Sequence, residues 1–276
     1  MDQSRWAARR AAFRKLHEKG CFLIPNPWDV GTARALAGMG FKALATTSAG
    51  YAWSCGQADH GPELEAVLEH CRVLAAATEL PVNADFESGY ARHLDELGEN
   101  VRRCAATGVA GLSIEDATGD GAQPLYELNA AVARVSAARA ALDASGEDVM
   151  LIARAECFLT GHPDPLPEAV RRLQAYAAAG ADCLYAPGAL TRAQITTLVG
   201  AVAPKPVNVL VGRPTPHTLA ELAGLGVRRV SVGGALAGAA WGGFLRAARD
   251  LAAGRFDGFA ANAPHAEMNG LFQNGA

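Results

Sequence analysis

The feature that most constrains the fold of this chain is an eightfold alternation of two sequence patterns. A short apolar run is followed each time by a loop and then by an alanine-rich stretch with helical periodicity. Such alternation predicts a parallel sheet whose strands are joined by crossover helices. The predicted strands occupy residues 21–25, 41–47, 81–86, 111–115, 149–155, 183–186, 207–211 and 229–232.

The predicted helices lie after these strands, at residues 29–38, 62–78, 94–107, 125–144, 167–179, 191–202, 217–225 and 235–253. The eight units span residues 21–253, close to the length of about 250 residues that is typical of a (β/α)8 barrel. No GxGxxG motif of the kind that opens dinucleotide-binding domains follows the first strand. We therefore expect an α/β fold, a single TIM-type barrel domain over residues 1–276, with helical extensions at about 1–18 and 255–276.

Composition excludes several classes of protein. The 25 basic and 28 acidic residues give a net charge of −3, so no basic excess favours nucleic acid or an anionic membrane. No apolar run approaches the roughly 20 residues of a membrane-spanning helix. The six cysteines form no CxxC pair and are typical of reduced, mostly buried residues. We expect a cytoplasmic protein without nucleic acid or membrane partners.

Acidic residues follow two neighbouring strands, at the end where barrel enzymes carry their active sites. Asp85 and Glu87 are two residues apart on the third strand, so both side chains face the barrel mouth. Glu115 ends the fourth strand. Because clustered carboxylates repel one another, we predict a site for Mg²⁺, or for Mn²⁺, with no histidine or cysteine nearby. The alternative is that each acid caps a helix or forms an ion pair.

Other polar residues follow the fifth and seventh strands. Arg154 and Glu156 are again two residues apart and face the mouth. An arginine fork beside an acidic metal site can clamp a substrate carboxylate, or it can form a structural ion pair within the barrel. Asn208 can hydrogen-bond a ligand or can be a buried amide satisfied by the protein itself.

The second strand ends in small and hydroxyl-bearing residues that include Ser48, Ala49 and Gly50. Hydroxyl and backbone N–H groups of this kind can hold a carboxylate or enolate oxygen. They can equally form a tight turn in which the hydroxyls cap a helix. Asp59 follows in a loop that could fold over the barrel mouth.

Two common barrel chemistries are disfavoured. A Schiff-base enzyme needs an active-site lysine, whereas none of the four lysines lies at the C-terminal end of a predicted strand. The seven histidines show no paired spacing of metal ligands, which disfavours a zinc aldolase or amidohydrolase. Cys157, next to Glu156, has the strand parity of a buried and inert thiol.

Several segments resemble the isocitrate lyase/phosphoenolpyruvate mutase superfamily. They are residues 25–29 (PNPWD), 46–50 (TTSAG), 85–90 (DFESGY), 114–116 (IED) and 154–156 (RAE). The resemblance runs from about residue 10 to 255, and the acids after the third strand and the Arg-x-Glu of the fifth are its most specific motifs.

The resemblance implies a barrel whose last helix is often exchanged between subunits, in dimers or dimers of dimers. It implies Mg²⁺ bound by Asp85, Glu87 and Glu115, partly through water, with Asp59 near the metal. It further implies a 2-oxo acid or enolate held by Ser48, the Ala49 amide and Arg154. Catalytic roles would then fall to Ser48, Asp59 and Arg154.

The chain departs from the better-known superfamily members after Glu115. Those lyases carry a gating loop with the motif Lys-(Lys/Arg)-Cys-Gly-His, whereas residues 117–124 read ATGDGAQP and contain no lysine, cysteine or histidine. The lysine- and asparagine-rich loop of the mutases is missing too, and Glu87 stands where an aspartate is usual. The catalytic acid of the lyases therefore has no equivalent at these positions.

These features predict a Mg²⁺-dependent carbon–carbon lyase that acts on a small 2-oxo or 2-hydroxy dicarboxylic acid through an enolate. Oxaloacetate decarboxylation is favoured, because it needs no proton removal before the bond breaks. One alternative is carbon–phosphorus chemistry, as in a phosphonopyruvate hydrolase or phosphoenolpyruvate mutase. The other is a non-catalytic barrel that binds a 2-oxo acid.

Overall fold

A computed structural model describes residues 3–189 and 191–273, and these residues form eight parallel strands. The strands are β1 Phe22–Ile24, β2 Leu44–Ala45, β3 Val82–Asp85, β4 Gly111–Glu115, β5 Met150–Arg154, β6 Cys183–Tyr185, β7 Val207–Leu210 and β8 Arg229–Ser231. Each lies within a strand predicted from the sequence.

The strands are hydrogen-bonded in the order β1-β8-β7-β6-β5-β4-β3-β2. Between the two end strands, the Ala45 N–H donates to the Pro25 carbonyl at 3.0 Å, which brings the edges of the sheet together. The result is a nearly closed barrel, as the eightfold alternation predicts.

Helices cover the outside of the barrel in the expected alternation. They are α1 Gln3–Leu16, α2 Val30–Gly38, α3 Ser48–Ser54, α4 Leu64–Ala77, α5 Leu94–Ala105, α6 Leu128–Ser145, α7 Pro165–Ala178, α8 Arg192–Val202, α9 Leu219–Gly224, α10 Ala235–Ala252, the 3₁₀ helix Asp257–Ala261 and α11 His265–Gln273. None of the helices in the described ranges has the length and apolar character needed to cross a membrane.

Helix α3 was missed by the sequence reasoning, which placed residues up to 47 in the second strand. Thr47 instead has extended backbone angles, and its hydroxyl accepts a hydrogen bond from the Gly50 N–H at 3.2 Å. This N-cap satisfies a first-turn amide and starts a helix directly after β2. The helix-capping interpretation of these hydroxyls is therefore correct for Thr47.

The N-terminal end of the barrel is closed by α1. Phe13 is fully buried in a cluster that includes Met150 and Ile152 from β5. Gly111 makes room for this ring, because a Cβ atom there would lie only 2.8 Å from Phe13 Cε1 and 2.8 Å from Asn83 Oδ1. This end of the barrel is therefore filled by side chains, whereas a cavity opens at the C-terminal ends of the strands.

Helix α10 packs differently from the other barrel helices. Of its 18 residues, all of them described, only Ala237 is buried. Phe244, Leu245 and Leu251 are exposed, Phe244 by 60%. Beyond it, the 3₁₀ helix packs on α10 and α11 packs on α2. The chain thus presents a largely apolar helix to its surroundings.

A buried network behind the ends of β4 and β5 holds the strand ends in place. Asp116 is 3% exposed, and its Oδ1 accepts a hydrogen bond from the Glu156 N–H at 2.8 Å. Its Oδ2 accepts from the Arg172 guanidinium at 3.0 Å and from the Tyr176 hydroxyl at 2.5 Å. Asp116 therefore ties the loop after β5 to helix α7.

Replacing Asp116 tests this network. Asp116→Ala should lower the free energy of unfolding by about 3 kcal/mol, because it removes one partner of a buried ion pair. Urea denaturation monitored by circular dichroism measures the change. Asp257→Ala, at an exposed aspartate, is the matched control and should change stability by less than about 0.5 kcal/mol. A similarly small effect of Asp116→Ala would contradict the stabilising role of this network.

His70 on α4 makes the stability of the fold depend on pH. Its ring is 9% exposed and stacks on Tyr51 with the ring centroids 3.9 Å apart, and burial lowers its pKa to about 4. The unfolded chain then binds this proton more readily than the folded one below pH 6.5, so stability falls as the pH drops toward 4.

When the pH is lowered from 7 to 5, the effect of His70 should lower the free energy of unfolding of the wild-type protein by about 2 kcal/mol. His70→Phe keeps an aromatic ring against Tyr51 and should remove this part of the pH dependence. Urea midpoints at the two pH values measure it, with His93→Gln at an exposed histidine as control. An unchanged pH dependence in His70→Phe would refute the interpretation.

Candidate active site

A cavity of about 150 Å³ opens at the C-terminal ends of the strands. Five of the residues singled out from the sequence line it together, namely Ser48, Ala49, Asp59, Asp85 and Arg154. They come from three strand–loop units that are far apart in the chain. The location is the one expected for the active site of a (β/α)8 barrel.

The junction of β2 and α3 forms one wall of this cavity. The Ser48 N–H donates to Asp85 Oδ2 at 3.0 Å, and the Asp85 N–H donates to the Thr46 hydroxyl at 2.8 Å. These bonds set Ser48 and Asp85 side by side. Gly50 is buried, and its N–H donates to the Thr47 hydroxyl that caps α3. It therefore supports this wall without lining the cavity.

Arg154 crosses the mouth from β5 and contacts three carboxylates. Its Nη1 lies 3.1 Å from Glu115 Oε2 and 3.5 Å from Asp85 Oδ1, and its Nε is paired with Glu156. Burial alone would lower the pKa of Arg154, but Glu115 and Glu156 raise it well above its ordinary value. The guanidinium therefore stays charged beside the cavity.

The acids around Arg154 carry more charge than one guanidinium can offset. Burial raises the pKa of Glu115 to about 8, and although Arg154 opposes this rise, Glu156, Asp85 and Glu87 add to it. A carboxyl group in such surroundings releases its proton readily only if further positive charge is supplied. The donor set, made of carboxylate oxygens, suits a hard divalent cation such as Mg²⁺ or Mn²⁺.

Glu87 also lies at the barrel mouth, where it is bonded to His60 and Tyr90. Its carboxylate is bonded to His60 Nδ1 at 2.9 Å and accepts from the Tyr90 hydroxyl at 2.8 Å. The hydrogen bond to Glu87 raises the pKa of His60 to about 9. Ligand atoms of Asp59, His60 and Glu87 lie within 4.8 Å of one another and could together hold a metal ion.

The three expected metal ligands have different bonding partners in the structure, although Asp85 and Glu87 both act electrostatically on Glu115. Asp85 and Glu115 gather around Arg154, whereas Glu87 joins Asp59 and His60. The prediction that no histidine lies near the acids is wrong. Sequence reasoning looked for histidines at paired spacings, and the available signal was the adjacency of Asp59 and His60 in the loop after α3.

Glu156 and Asn208 lie behind the cavity wall. The Glu156 carboxylate is paired with Arg154, and its N–H is held by Asp116. Asn208 Oδ1 accepts from Arg229 Nε at 2.9 Å, and Asn208 Nδ2 donates to Ser231 Oγ at 2.9 Å. Both side chains are satisfied by the protein itself, so a direct contact of either with substrate stays a prediction.

Tyr185, Arg229 and Ser231 also line the cavity and were not singled out from the sequence. The signal was present in the strand register. Tyr185 on β6 pairs with Arg154, and Arg229 on β8 pairs with Asn208, so all four side chains share the inner face of the barrel.

The segment that replaces the gating loop folds on itself. A bridge joins Ala117 to Leu125, and the Thr118 N–H donates to the Pro124 carbonyl at 3.0 Å. Among the described residues of 117–124, none lines the cavity. Cys157 is fully buried, and burial raises the pKa of its thiol to about 12, in agreement with an inert role.

Comparison with known proteins agrees with this architecture. A family model for phosphoenolpyruvate phosphomutase matches residues 13–252. An oxaloacetate decarboxylase of Rhodopseudomonas palustris (strain BisB5) is 29% identical over 237 residues, which cover 82% of this chain and 78% of that protein.

Solved structures extend the comparison to the whole chain. A protein of Burkholderia cenocepacia J2315 that is assigned only as a lyase or mutase is 48% identical, with a TM-score of 0.93 over 97% of both chains. A 2,3-dimethylmalate lyase of the PEP mutase/isocitrate lyase superfamily is 25% identical, with a TM-score of 0.84 over 98% of this chain and 95% of that one. This chain belongs to the phosphoenolpyruvate phosphomutase family and is an enzyme of the PEP mutase/isocitrate lyase superfamily.

Proposed function

We propose that this protein is a divalent-cation-dependent carbon–carbon lyase that decarboxylates oxaloacetate or a close 2-oxo dicarboxylate. The observation that carries the proposal is the meeting of Arg154, Asp85 and Ser48 at one cavity. The cavity combines an arginine that can bind a carboxylate, an acid that can bind a metal and a serine hydroxyl. The similarity to oxaloacetate decarboxylases over most of the chain supports this choice of substrate.

The site residues divide the chemistry among them. Mg²⁺ or Mn²⁺ held by Asp85 and Glu115, with Glu87 and Asp59 nearby, would supply a Lewis acid that polarises the 2-oxo group. Arg154 binds the adjacent carboxylate through its fork and fixes the orientation of the scissile bond. Ser48 and the Ala49 amide, at the start of α3, stabilise the oxygen on which negative charge develops.

Decarboxylation fits the contents of the cavity better than aldol-type cleavage. An aldol-type cleavage requires a base that removes a hydroxyl proton before the carbon–carbon bond breaks. The segment after Glu115, which carries the catalytic acid in related lyases, contributes no described residue to the cavity. Loss of CO₂ from the carboxylate that lies β to the 2-oxo group needs only stabilisation of the developing enolate charge, which the residues around the cavity are suited to provide.

Asp85→Ala tests the metal and the reaction together. Purified protein with Mg²⁺ should form pyruvate from oxaloacetate above the metal-only background, as measured by coupling to lactate dehydrogenase. Asp85→Ala should lower this rate at least about 100-fold, because charge stabilisation in the transition state is lost. It should also lose binding of Mn²⁺ as measured by electron paramagnetic resonance.

Asp257→Ala serves as the matched control and should retain full activity and Mn²⁺ binding. Full activity of chelator-treated Asp85→Ala protein would refute the metal assignment. Phosphate release from phosphonopyruvate, without oxaloacetate turnover, would favour carbon–phosphorus chemistry. Tight binding of oxalate with Mg²⁺ and no turnover of any 2-oxo acid would favour a non-catalytic barrel.

We further propose that the protein associates with itself through α10. The exposed apolar side chains of this helix, Phe244 among them, are not buried against the described barrel of the same chain. An apolar cavity of about 220 Å³ lies beside it, between Trp28 and Trp241. A second copy of the chain that packs its own α10 against this region would bury both surfaces in a symmetric interface.

Phe244→Glu should therefore shift the protein toward monomer, because the interface would bury an unpaired charge. Sedimentation velocity at micromolar concentration measures the oligomeric state. Met39→Glu is the matched control, since Met39 is 64% exposed at the end of α2, and it should leave the assembly intact. A wild-type protein that sediments as a monomer would contradict the proposal.

A further inference from the structure

The proposed decarboxylation leaves an enolate whose carbon must receive a proton, and the cavity has to provide the donor. The acids that line it are assigned to the metal. Among the hydroxyl groups, that of Thr46 accepts a hydrogen bond from the Asp85 N–H, and that of Thr47 caps α3. Tyr185 is the cavity residue whose hydroxyl is intrinsically acidic enough for proton transfer, since a phenol has a pKa near 10 and an alkyl hydroxyl a much higher one.

Tyr185 lies where the substrate must bind. It pairs in register with Arg154 on the neighbouring strand, so the two side chains are adjacent on the inner face of the barrel. The guanidinium carbon of Arg154 lies 5.4 Å from the centroid of the Tyr185 ring. A substrate carboxylate held by Arg154 would therefore place the rest of a small 2-oxo acid beside this ring.

A chain of hydrogen bonds leads from Arg229 through Asn208 and Ser231 to the Tyr185 hydroxyl. Arg229 can only donate, so its Nε–H bond of 2.9 Å requires that Asn208 face it with Oδ1. Asn208 Nδ2 then donates to Ser231 Oγ at 2.9 Å. Ser231 is also hydrogen-bonded to Tyr185 and has its own proton to give.

Because Asn208 donates to Ser231 Oγ, the Ser231 proton is available to the Tyr185 oxygen, and in this arrangement the Tyr185 O–H proton can point into the cavity. Arg229 begins this chain as a buried cation, 2% exposed, and its guanidinium donates to amide oxygens of Asn208 and Asn83. Within the described ranges it forms no ion pair with a carboxylate, so its charge polarises the chain of donors.

The protonation state agrees with a donor. Burial raises the pKa of Tyr185 to about 12, although Arg154 opposes this effect. The hydroxyl therefore holds its proton in neutral solution, as a general acid must before it acts.

We propose that Tyr185 is the general acid that protonates the enolate carbon, and that Ser231 and Asn208 are positioning residues that aim its hydroxyl. This inference rests on the proposed decarboxylation. Once CO₂ has left, the electron pair of the enolate forms a new C–H bond with the Tyr185 proton, and the Tyr185 O–H bond breaks. The carbonyl of pyruvate is restored, and the phenolate regains a proton from water.

The same step run backwards exchanges the methyl protons of pyruvate with solvent, which separates proton transfer from carbon–carbon cleavage. Wild-type protein with Mg²⁺ in D₂O should catalyse this exchange, as followed by proton NMR. Tyr185→Phe should lose at least about 100-fold of the exchange rate, while its affinity for oxalate, a stable analogue of the enolate, should change less than about threefold. Tyr126→Phe, at a tyrosine outside the cavity, should match the wild type in both measurements.

The positioning residues provide a second test that does not depend on Tyr185→Phe. Ser231→Ala should slow the exchange about tenfold without weakening oxalate binding, and Ser231→Thr, which restores the hydroxyl, should recover most of the rate. A structural role for Ser231 would not produce this recovery together with unchanged oxalate binding.

The outcomes separate the two proposals. If wild-type protein both decarboxylates oxaloacetate and exchanges pyruvate protons, and Tyr185→Phe does so at the wild-type rate, the assignment of Tyr185 is overturned and the proposed function stands. If Ser231→Ala and Ser231→Thr behave alike, the positioning chain is overturned. If wild-type protein does neither reaction, the proposed function and the role of Tyr185 fail together.

Discussion

The buried guanidinium of Arg154 is the interaction around which the barrel mouth is organised. It is in contact with carboxylates on β3 and β4 and just beyond β5, and at least one of them, Glu115, has its pKa raised by burial. Without this cation the acids would repel one another in a poorly solvated space, and the ends of the three neighbouring strands would lose a common partner. The same charge is well placed to bind the carboxylate of a 2-oxo acid.

The charged groups form layers along the barrel axis, and each layer has its own chemistry. Asp59, His60 and Glu87 form a cluster at the mouth in which Asp59 and His60 are exposed. Asp85 and Arg154 are in the middle, beside the cavity. Deeper in the barrel, the cation of Arg229 is surrounded by amides and hydroxyls. A small anionic substrate would therefore meet candidate metal ligands on one side and hydrogen-bond donors on the other.

Support for the middle layer comes from outside the cavity. Asp116 holds the backbone of Glu156 and is itself held by Arg172 and Tyr176 of α7. Because Glu156 in turn pairs with Arg154, a helix on the outer surface of the barrel sets the position of a side chain at the cavity. Catalytic groups that must keep one geometry commonly need this kind of second layer of contacts.

The barrel could be predicted from the sequence because apolar periodicity and helix-capping signals are local properties. The main error, the missed helix α3, arose at residues 46–50, where hydroxyl side chains fit a strand end and a helix start equally well. Side-chain parity in single strands also placed Asp85 with Glu87, and Arg154 with Glu156, at the mouth, and the adjacency of the third and fourth strands added Glu115. Parity in a strand follows from backbone geometry alone and does not require knowledge of contacts.

The sequence by itself determined the fold class, the end of the barrel that carries the candidate site and some of the residues that face it, Asp85 and Arg154 among them. Only the tertiary structure decided how these charges are paired. Glu87 joins His60, although 27 positions separate the two residues in the chain. Likewise, Arg229, Ser231 and Tyr185 meet in one chain of hydrogen bonds because parallel pairing in the sheet brings β6, β7 and β8 side by side. Pairings of this kind depend on strand register and loop conformation, which no local pattern of residues encodes.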